Sequence, residues 1–182
     1  VPSVSSLQAL ENRRQSGPSP RRPVFAVGDP IYRPASLKGD AAGLAEYVQA
    51  VSPGAGTELE RLKFSGLEAG QVNSIFKAGR KDLFLGEKAT EDNIKSARLT
   101  DYRLIHLAAH AFVDDKNPLR SSIVLTLDGD PAEDGLLQMR EIYNLRMNAD
   151  LVTLSACQTG LGQFIRGEGI SGINRAFFYA GA

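Results

Sequence analysis

The chain has 182 residues, of which 42% are hydrophobic and 23% charged, a composition typical of one globular domain with a sizeable core. Basic and acidic residues both number 21, so no net field attracts polyanions and we expect no nucleic-acid partner. The single Cys excludes an internal disulfide and fits a reducing compartment, which favours the cytoplasm. No apolar run approaches the roughly 20 residues that span a bilayer, so we expect no membrane partner.

The first half of the chain predicts an N-terminal segment and basic linker over residues 1–22, followed by one domain over residues 23–182. The run PVFAVGDP predicts a buried strand that ends in a turn at Asp29. Helical spacing over residues 41–51 predicts a surface helix. We interpret ELERLKFSG as a strand, LEAGQVNSIFKAG as a helix and DLFLG as a strand. Thr90 is predicted to cap a helix through Ala97.

The second half predicts the order strand, strand, helix, strand, helix. The corresponding segments are YRLIHLAAH, SSIVLTLDGD, GLLQMREIYNLR, ADLVTLSAC and GISGINRAFFYAGA. LIHLAA and LVTLSA are apolar at successive positions, which indicates strands covered on both faces. The sequence therefore predicts an α/β fold with a mostly parallel central sheet flanked by helices.

Two predicted strands end on residues that can react, His110 and Cys157. In an open parallel sheet, functional sites form beyond the carboxyl ends of the strands, so both side chains are expected at one edge, facing one another and open to solvent. Acyl transfer requires a thiol that a His can deprotonate and backbone N–H groups that hold an oxyanion. His106, four residues before His110 on the same predicted strand, is interpreted as structural.

Other readings of these residues remain open. A lone buried Cys or strand His is usually structural. The Gly-rich loop after Cys157 also allows a phosphate- or nucleotide-binding module, but Glu168 stands where a P-loop requires Lys and Ile165 where a dinucleotide motif requires Gly. Asp29 is interpreted as a turn residue rather than a phosphate acceptor. Two His and one Cys give no zinc-ligand spacing, so we expect no metal and no cofactor.

LIHLAAH followed by LVTLSACQTG resembles the CHAT-domain family, bacterial relatives of caspases and separase that often accompany tetratricopeptide repeats. SACQTG, with His110 47 positions before Cys157, is close to the caspase signature. The resemblance extends in order over PSVSSLQALENRR, FAVGDPIY, FLGEKATEDNIKSA, HLAAH, LSACQTG and GEGISGINRAFFYAGA.

The resemblance implies a caspase-like (caspase/hemoglobinase) fold and a cysteine endopeptidase with a catalytic dyad, Cys157 and His110. It implies an oxyanion hole formed by the N–H groups of Cys157 and Ala111, the latter at a position that is commonly Gly in relatives. Ser155 matches a position that lines the specificity pocket.

Loop acids could supply charge to that pocket; these are Asp114, Asp115 and Glu168. A protein or peptide substrate and a regulatory repeat domain or activating protein are the implied partners. Relatives have further strands before and after the matching segments, so a domain truncated at both ends is expected. A scaffold that binds partners without cutting them, favoured by Ala111, is the alternative within the same fold.

Overall fold

The computed structural model describes residues 22–32, 61–76, 82–113, 117–126, 133–155 and 169–182. Strands and helices alternate within these ranges, as an α/β fold requires. The strands are β1 (Arg22–Gly28), β2 (Asp82–Leu85), β3 (Tyr102–Ala108), β4 (His110–Phe112), β5 (Ser122–Val124), β6 (Leu136–Gln138) and β7 (Leu151–Ser155). The α-helices are α1 (Ser65–Ile75), α2 (Glu91–Lys95), α3 (Met139–Ile142) and α4 (Gly169–Ala180).

Among the described residues, the main sheet has four parallel strands in the order β2-β1-β3-β7. The register places the last residues of all four strands in one row, because Gly28 pairs with both Leu85 and Ala108, and Ala108 pairs with Ser155. The parallel sheet flanked by helices confirms the fold class predicted from the two-sided apolar runs. In an open parallel sheet, functional sites form beyond such a carboxyl edge.

Both faces of the main sheet are covered, which explains the absence of polar alternation in its central strands. On one face, Phe25 and Val27 of β1 join Ile105 and Leu107 in the larger core cluster. On the other face, Val24 and Ala26 pack with Ala69 of α1 in a smaller cluster. The alternation of strand side chains therefore divides β1 and β3 between two cores.

A second sheet, antiparallel and in the order β4-β5-β6, follows the main sheet in the chain. The prediction of one strand running to His110 is wrong, because β3 ends at Ala108 and His110 opens β4. The helix predicted over GLLQMREIYNLR is wrong in its first part, since residues 136–138 form β6. Pairing of β6 with β5 outweighs the local helical pattern, and the helix starts only at Met139.

The remaining predictions have mixed outcomes. The first strand, the strand over DLFLG, the helix at LEAGQVNSI and the C-terminal helix are confirmed. Thr90 caps α2 by accepting the Asn93 N–H at 3.2 Å, although the helix ends at Lys95 rather than Ala97. The strand predicted at ELERLKFSG is wrong over residues 61–66, which form a turn and the start of α1.

Several predicted features lie outside the described residues, namely residues 1–21 and the helix over residues 41–51. β1 begins at Arg22, one residue before the predicted domain boundary. Arg22 is bound within the fold, where its guanidinium pairs with Asp82 at 2.9 Å. Among the helices of the described ranges, none has the length and apolar character needed to cross a bilayer.

Candidate functional site at the carboxyl edge of the sheet

The carboxyl edge of the main sheet carries the candidate site. Ala108 and Ser155 are paired neighbours at the ends of β3 and β7. Along the chain, His110 follows Ala108 by two residues and Cys157 follows Ser155 by two residues. Cys157 lies outside the described residues, as do the predicted pocket residues Asp114, Asp115 and Glu168 and the glycines at 160, 162 and 167.

His110 is buried at the start of β4 in the second sheet. The expectation that His110 is open to solvent is wrong, because the residue is only 7% exposed. His110 pairs with Val124 of β5. The ring of Tyr32 packs against the imidazole with centroids 5.3 Å apart and planes tilted by 47°. The backbone N–H of His110 points to the Tyr32 hydroxyl at a long 3.5 Å, and that hydroxyl donates to the Val124 carbonyl at 3.3 Å. Tyr32 thus caps the last residue pair of the β4–β5 ladder.

Ala111 lies in β4, where its backbone is extended. Among the described non-glycine residues, Asp29 and not Ala111 has a positive φ. The alanine at this position therefore carries no left-handed strain. On either side of β5, the Leu125 N–H donates to the Gly135 carbonyl, and the Ser121 carbonyl accepts from the Met139 N–H. The backbone groups of odd-numbered residues in this segment therefore point towards β6. Antiparallel alternation then directs the backbone of Val124 towards His110, and the N–H of Ala111 away from β5.

His106 lies on the face of β3 that packs against α1. It is 3% exposed, and its Nε2 lies 3.3 Å from Oε1 of Glu68 on that helix. Burial lowers the pKa of His106, and the negative charge of Glu68 opposes that effect only in part. A neutral imidazole packed under a helix supports the structural interpretation of His106. Ser155, in partly buried surroundings, falls on this same face by strand alternation.

The segment Asp29–Tyr32 crosses the carboxyl edge and was not recognised from sequence as part of the site. The N–H of Asp29 donates to the Ser65 hydroxyl at 2.8 Å, and its carboxylate forms a bidentate pair with Arg61. The N–H of Ile31 donates to the Thr126 hydroxyl at 3.0 Å. The GDP turn in FAVGDPIY indicated only that β1 ends here; no local pattern signals that Tyr32 reaches His110.

The carboxylates of Glu91, Glu133 and Glu141 converge and form the candidate cation ligand group of the described residues. The Lys95 ammonium lies 2.6 Å from both Glu91 and Glu133 and 2.8 Å from Glu141. An ammonium therefore already occupies the centre of the group, which suits a structural network better than a metal site.

The comparison with protein families agrees with this architecture. The family model for the CHAT domain matches residues 1–182. A comparison with curated proteins finds no significant match. The match spans the whole sequence, including the strands β3 and β7 that form the candidate site. The chain therefore belongs to the CHAT-domain family, a family of caspase-like peptidases.

Proposed function

We propose that this domain is a caspase-like cysteine endopeptidase in which Cys157 is the nucleophile and His110 its general base. The observation that carries the proposal is the pairing of Ala108 with Ser155. Each of these residues precedes one member of the dyad by two positions, on adjacent parallel strands that end in register. Strands 4.7–4.9 Å apart are close enough for side chains that follow them to interact, as a nucleophile and its base require.

In the proposed reaction, the His110 imidazole takes the proton from the Cys157 thiol, and the thiolate sulfur bonds to the scissile carbonyl carbon. The oxyanion accepts hydrogen bonds from the N–H groups of Cys157 and Ala111. The C–N bond then breaks, and the leaving amine takes the proton from the imidazolium. Water hydrolyses the resulting thioester, which releases the acid product and restores the thiol.

Two features of β4 support these roles. The N–H of Ala111 is directed away from β5, so ladder pairing with β5 does not consume it. The imidazole of His110 is buried and packed, which limits the orientations that it samples. Both features are properties of a preorganised site, in which donors and bases are fixed before substrate binds.

Substrate recognition is proposed to involve Ser155 at the end of β7, with charge supplied by Asp114, Asp115 or Glu168. The substrate is a protein or peptide, and an attached repeat domain or an activating protein regulates access to the site. Ser155 is uncharged, so it provides no electrostatic preference for a basic residue at the cleaved bond.

A peptide-library cleavage assay followed by mass spectrometry tests the proposal. Wild-type protein is expected to cut a defined set of bonds, whereas Cys157→Ala and His110→Ala are expected to lose at least about 100-fold in turnover, the usual contribution of a general base. His106→Gln is the matched control, because it changes the other His of the chain and leaves the dyad in place. Full activity of Cys157→Ala would refute the proposal.

A scaffold without catalysis is the other outcome of this assay. It would show as no cleavage by wild-type protein under any condition tested, with the activating partner supplied. The structure gives this alternative no support from Ala111, whose extended backbone accepts alanine without strain.

A further inference from the structure

Tyr32 packs directly against the proposed general base. Its ring packs against the His110 imidazole at 5.3 Å, and its hydroxyl lies between the His110 N–H and the Val124 carbonyl. Both hydrogen bonds are long, at 3.5 and 3.3 Å, so the ring contact is the stronger part of the interaction. Tyr32 therefore limits rotation of the imidazole and marks the end of the β4–β5 ladder.

The position of Tyr32 is itself fixed from three sides. The Asp29 N–H is bound by Ser65 at the start of α1, and the Asp29 carboxylate is bound by Arg61. The Ile31 N–H is bound by the Thr126 hydroxyl, which in turn donates to the Gly86 carbonyl at 2.7 Å. The segment that carries Tyr32 is thus anchored to α1, to the turn after β2 and to the end of β5.

The chemistry of the contact suits a base that becomes positively charged. An aromatic face attracts a cation placed within about 6 Å of its centre, and the Tyr32 ring centroid lies 5.3 Å from that of His110, so the contact accommodates the positive charge that the base acquires in the proposed reaction. Burial raises the pKa of Tyr32 above its ordinary value, so the hydroxyl remains a neutral hydrogen-bonding group. The residue can therefore orient His110 without exchanging a proton with it.

We infer that Tyr32 is a positioning residue that holds the His110 imidazole in the orientation that activates Cys157. The inference rests on the proposed peptidase function and adds to it a residue outside the dyad. Tyr32 acts through its contact with the His110 ring. Misplacement of a base by about 1 Å costs on the order of 100-fold in rate, which sets the scale of the expected effect.

The test measures the rate of Cys157 alkylation by iodoacetamide from about pH 5 to pH 9 in the intact protein. The chain has one Cys, so bulk labelling reports on this thiol alone. Tyr32→Leu removes the ring and is expected to slow alkylation at neutral pH by about 10- to 100-fold. Tyr32→Phe keeps the ring and is expected to stay within about fivefold of wild type, because a neutral hydrogen bond is worth about 1 kcal/mol.

The matched control is Tyr143→Leu, which removes another partly buried tyrosine, one that packs edge-on against Tyr179 at 5.5 Å. It is expected to leave alkylation within about twofold of wild type, since its ring contact lies elsewhere. The imidazole NMR signals give a readout that needs no activity. The chain has two His, and Tyr32→Leu is expected to move the signals of His110 while those of His106 stay in place.

The outcomes separate the two claims. Fast alkylation in Tyr32→Leu, equal slowing in Tyr143→Leu, or unmoved His110 signals would each overturn the positioning role and leave the peptidase proposal standing. Wild-type alkylation that is slow and unaffected by His110→Ala would instead overturn the proposed dyad, and the positioning role with it.

Discussion

Replacement of Lys95 by Met tests how the fold neutralises its buried acid cluster. Glu91 is 1% exposed, and burial raises its pKa to about 8, with the Lys95 hydrogen bond opposing that rise. The folded protein therefore holds this proton more tightly than the unfolded chain, where the pKa is about 4.5. The contribution of Glu91 to stability is accordingly expected to fall as the pH rises from about 4.5 to about 8.

Two terms set the size of the Lys95→Met effect. Near pH 6 the folded protein holds Glu91 protonated, so Lys95→Met removes only the ion pairs of Lys95 with Glu133 and Glu141. The side chains of these two acids are 21% and 24% exposed. We expect a cost of about 1 to 2 kcal/mol there. Near pH 9.5 wild-type Glu91 is ionised beside Lys95, and removing the ammonium adds about 2 kcal/mol, at about 1.4 kcal/mol per pH unit above 8.

Urea denaturation of both proteins near pH 6 and near pH 9.5 measures the difference in unfolding free energy. The double variant Lys95→Met with Glu91→Gln is the control, because it has no carboxylate at position 91. Its loss of unfolding free energy relative to wild type should not increase by about 2 kcal/mol between pH 6 and pH 9.5. A Lys95→Met cost that is the same at both pH values would refute the reasoning, since Glu91 would then not require its ammonium partner.

Three further predictions concern the site and its support. Gly28→Ala should lower the unfolding free energy by about 1 to 3 kcal/mol in urea titrations, because a Cβ would lie 2.6 Å from the Ser65 carbonyl oxygen; an unchanged midpoint would contradict the close packing of α1. Ala111→Gly should leave peptide cleavage within about threefold of wild type, and a large gain would show that alanine distorts the oxyanion hole. The lowered pKa of His106 makes its protonation unfavourable to the folded state, so His106 destabilises the fold as the pH falls below about 6.5. Thermal melts at pH 7 and pH 5 should therefore show a smaller acid-induced drop in Tm for His106→Gln than for wild type, and an equal drop would contradict this role.

The parallel sheet could be predicted because its strands carry the pattern of two-sided burial in their own residues. VFAVG lacks polar alternation and forms β1, a strand buried on both faces as expected. LVTLS forms the predicted strand β7, but β7 lies at the edge of the described sheet, where Leu151 is 53% exposed, so the prediction of burial on both faces is wrong for this strand. Residues 136–138 could not be assigned locally, since LLQ continues a helical pattern and becomes a strand only by pairing with β5. The same applies to Ser65, which starts α1 inside a segment that alternates like a strand.

The adjacent strands that precede the candidate dyad could be predicted, whereas side-chain contacts across the fold could not. His110 was selected because it follows an apolar run, and the structure pairs Ala108, two residues before it, with Ser155 at the end of β7. The break at Ala109 that moves His110 into β4 has no signal in LIHLAAH. Tyr32 is separated from His110 by 78 positions, and only the folded edge brings their rings together.

The alkylation rate of Cys157 near pH 7, compared between wild-type protein and His110→Ala, tests the dyad most directly. An imidazole that withdraws the thiol proton makes the thiolate available at neutral pH, so we expect rapid labelling of wild type and at least about tenfold slower labelling of the variant. The His106→Gln protein should label like wild type. Equal, slow labelling of wild type and His110→Ala would contradict the account, because the sulfur would then have no base beside it.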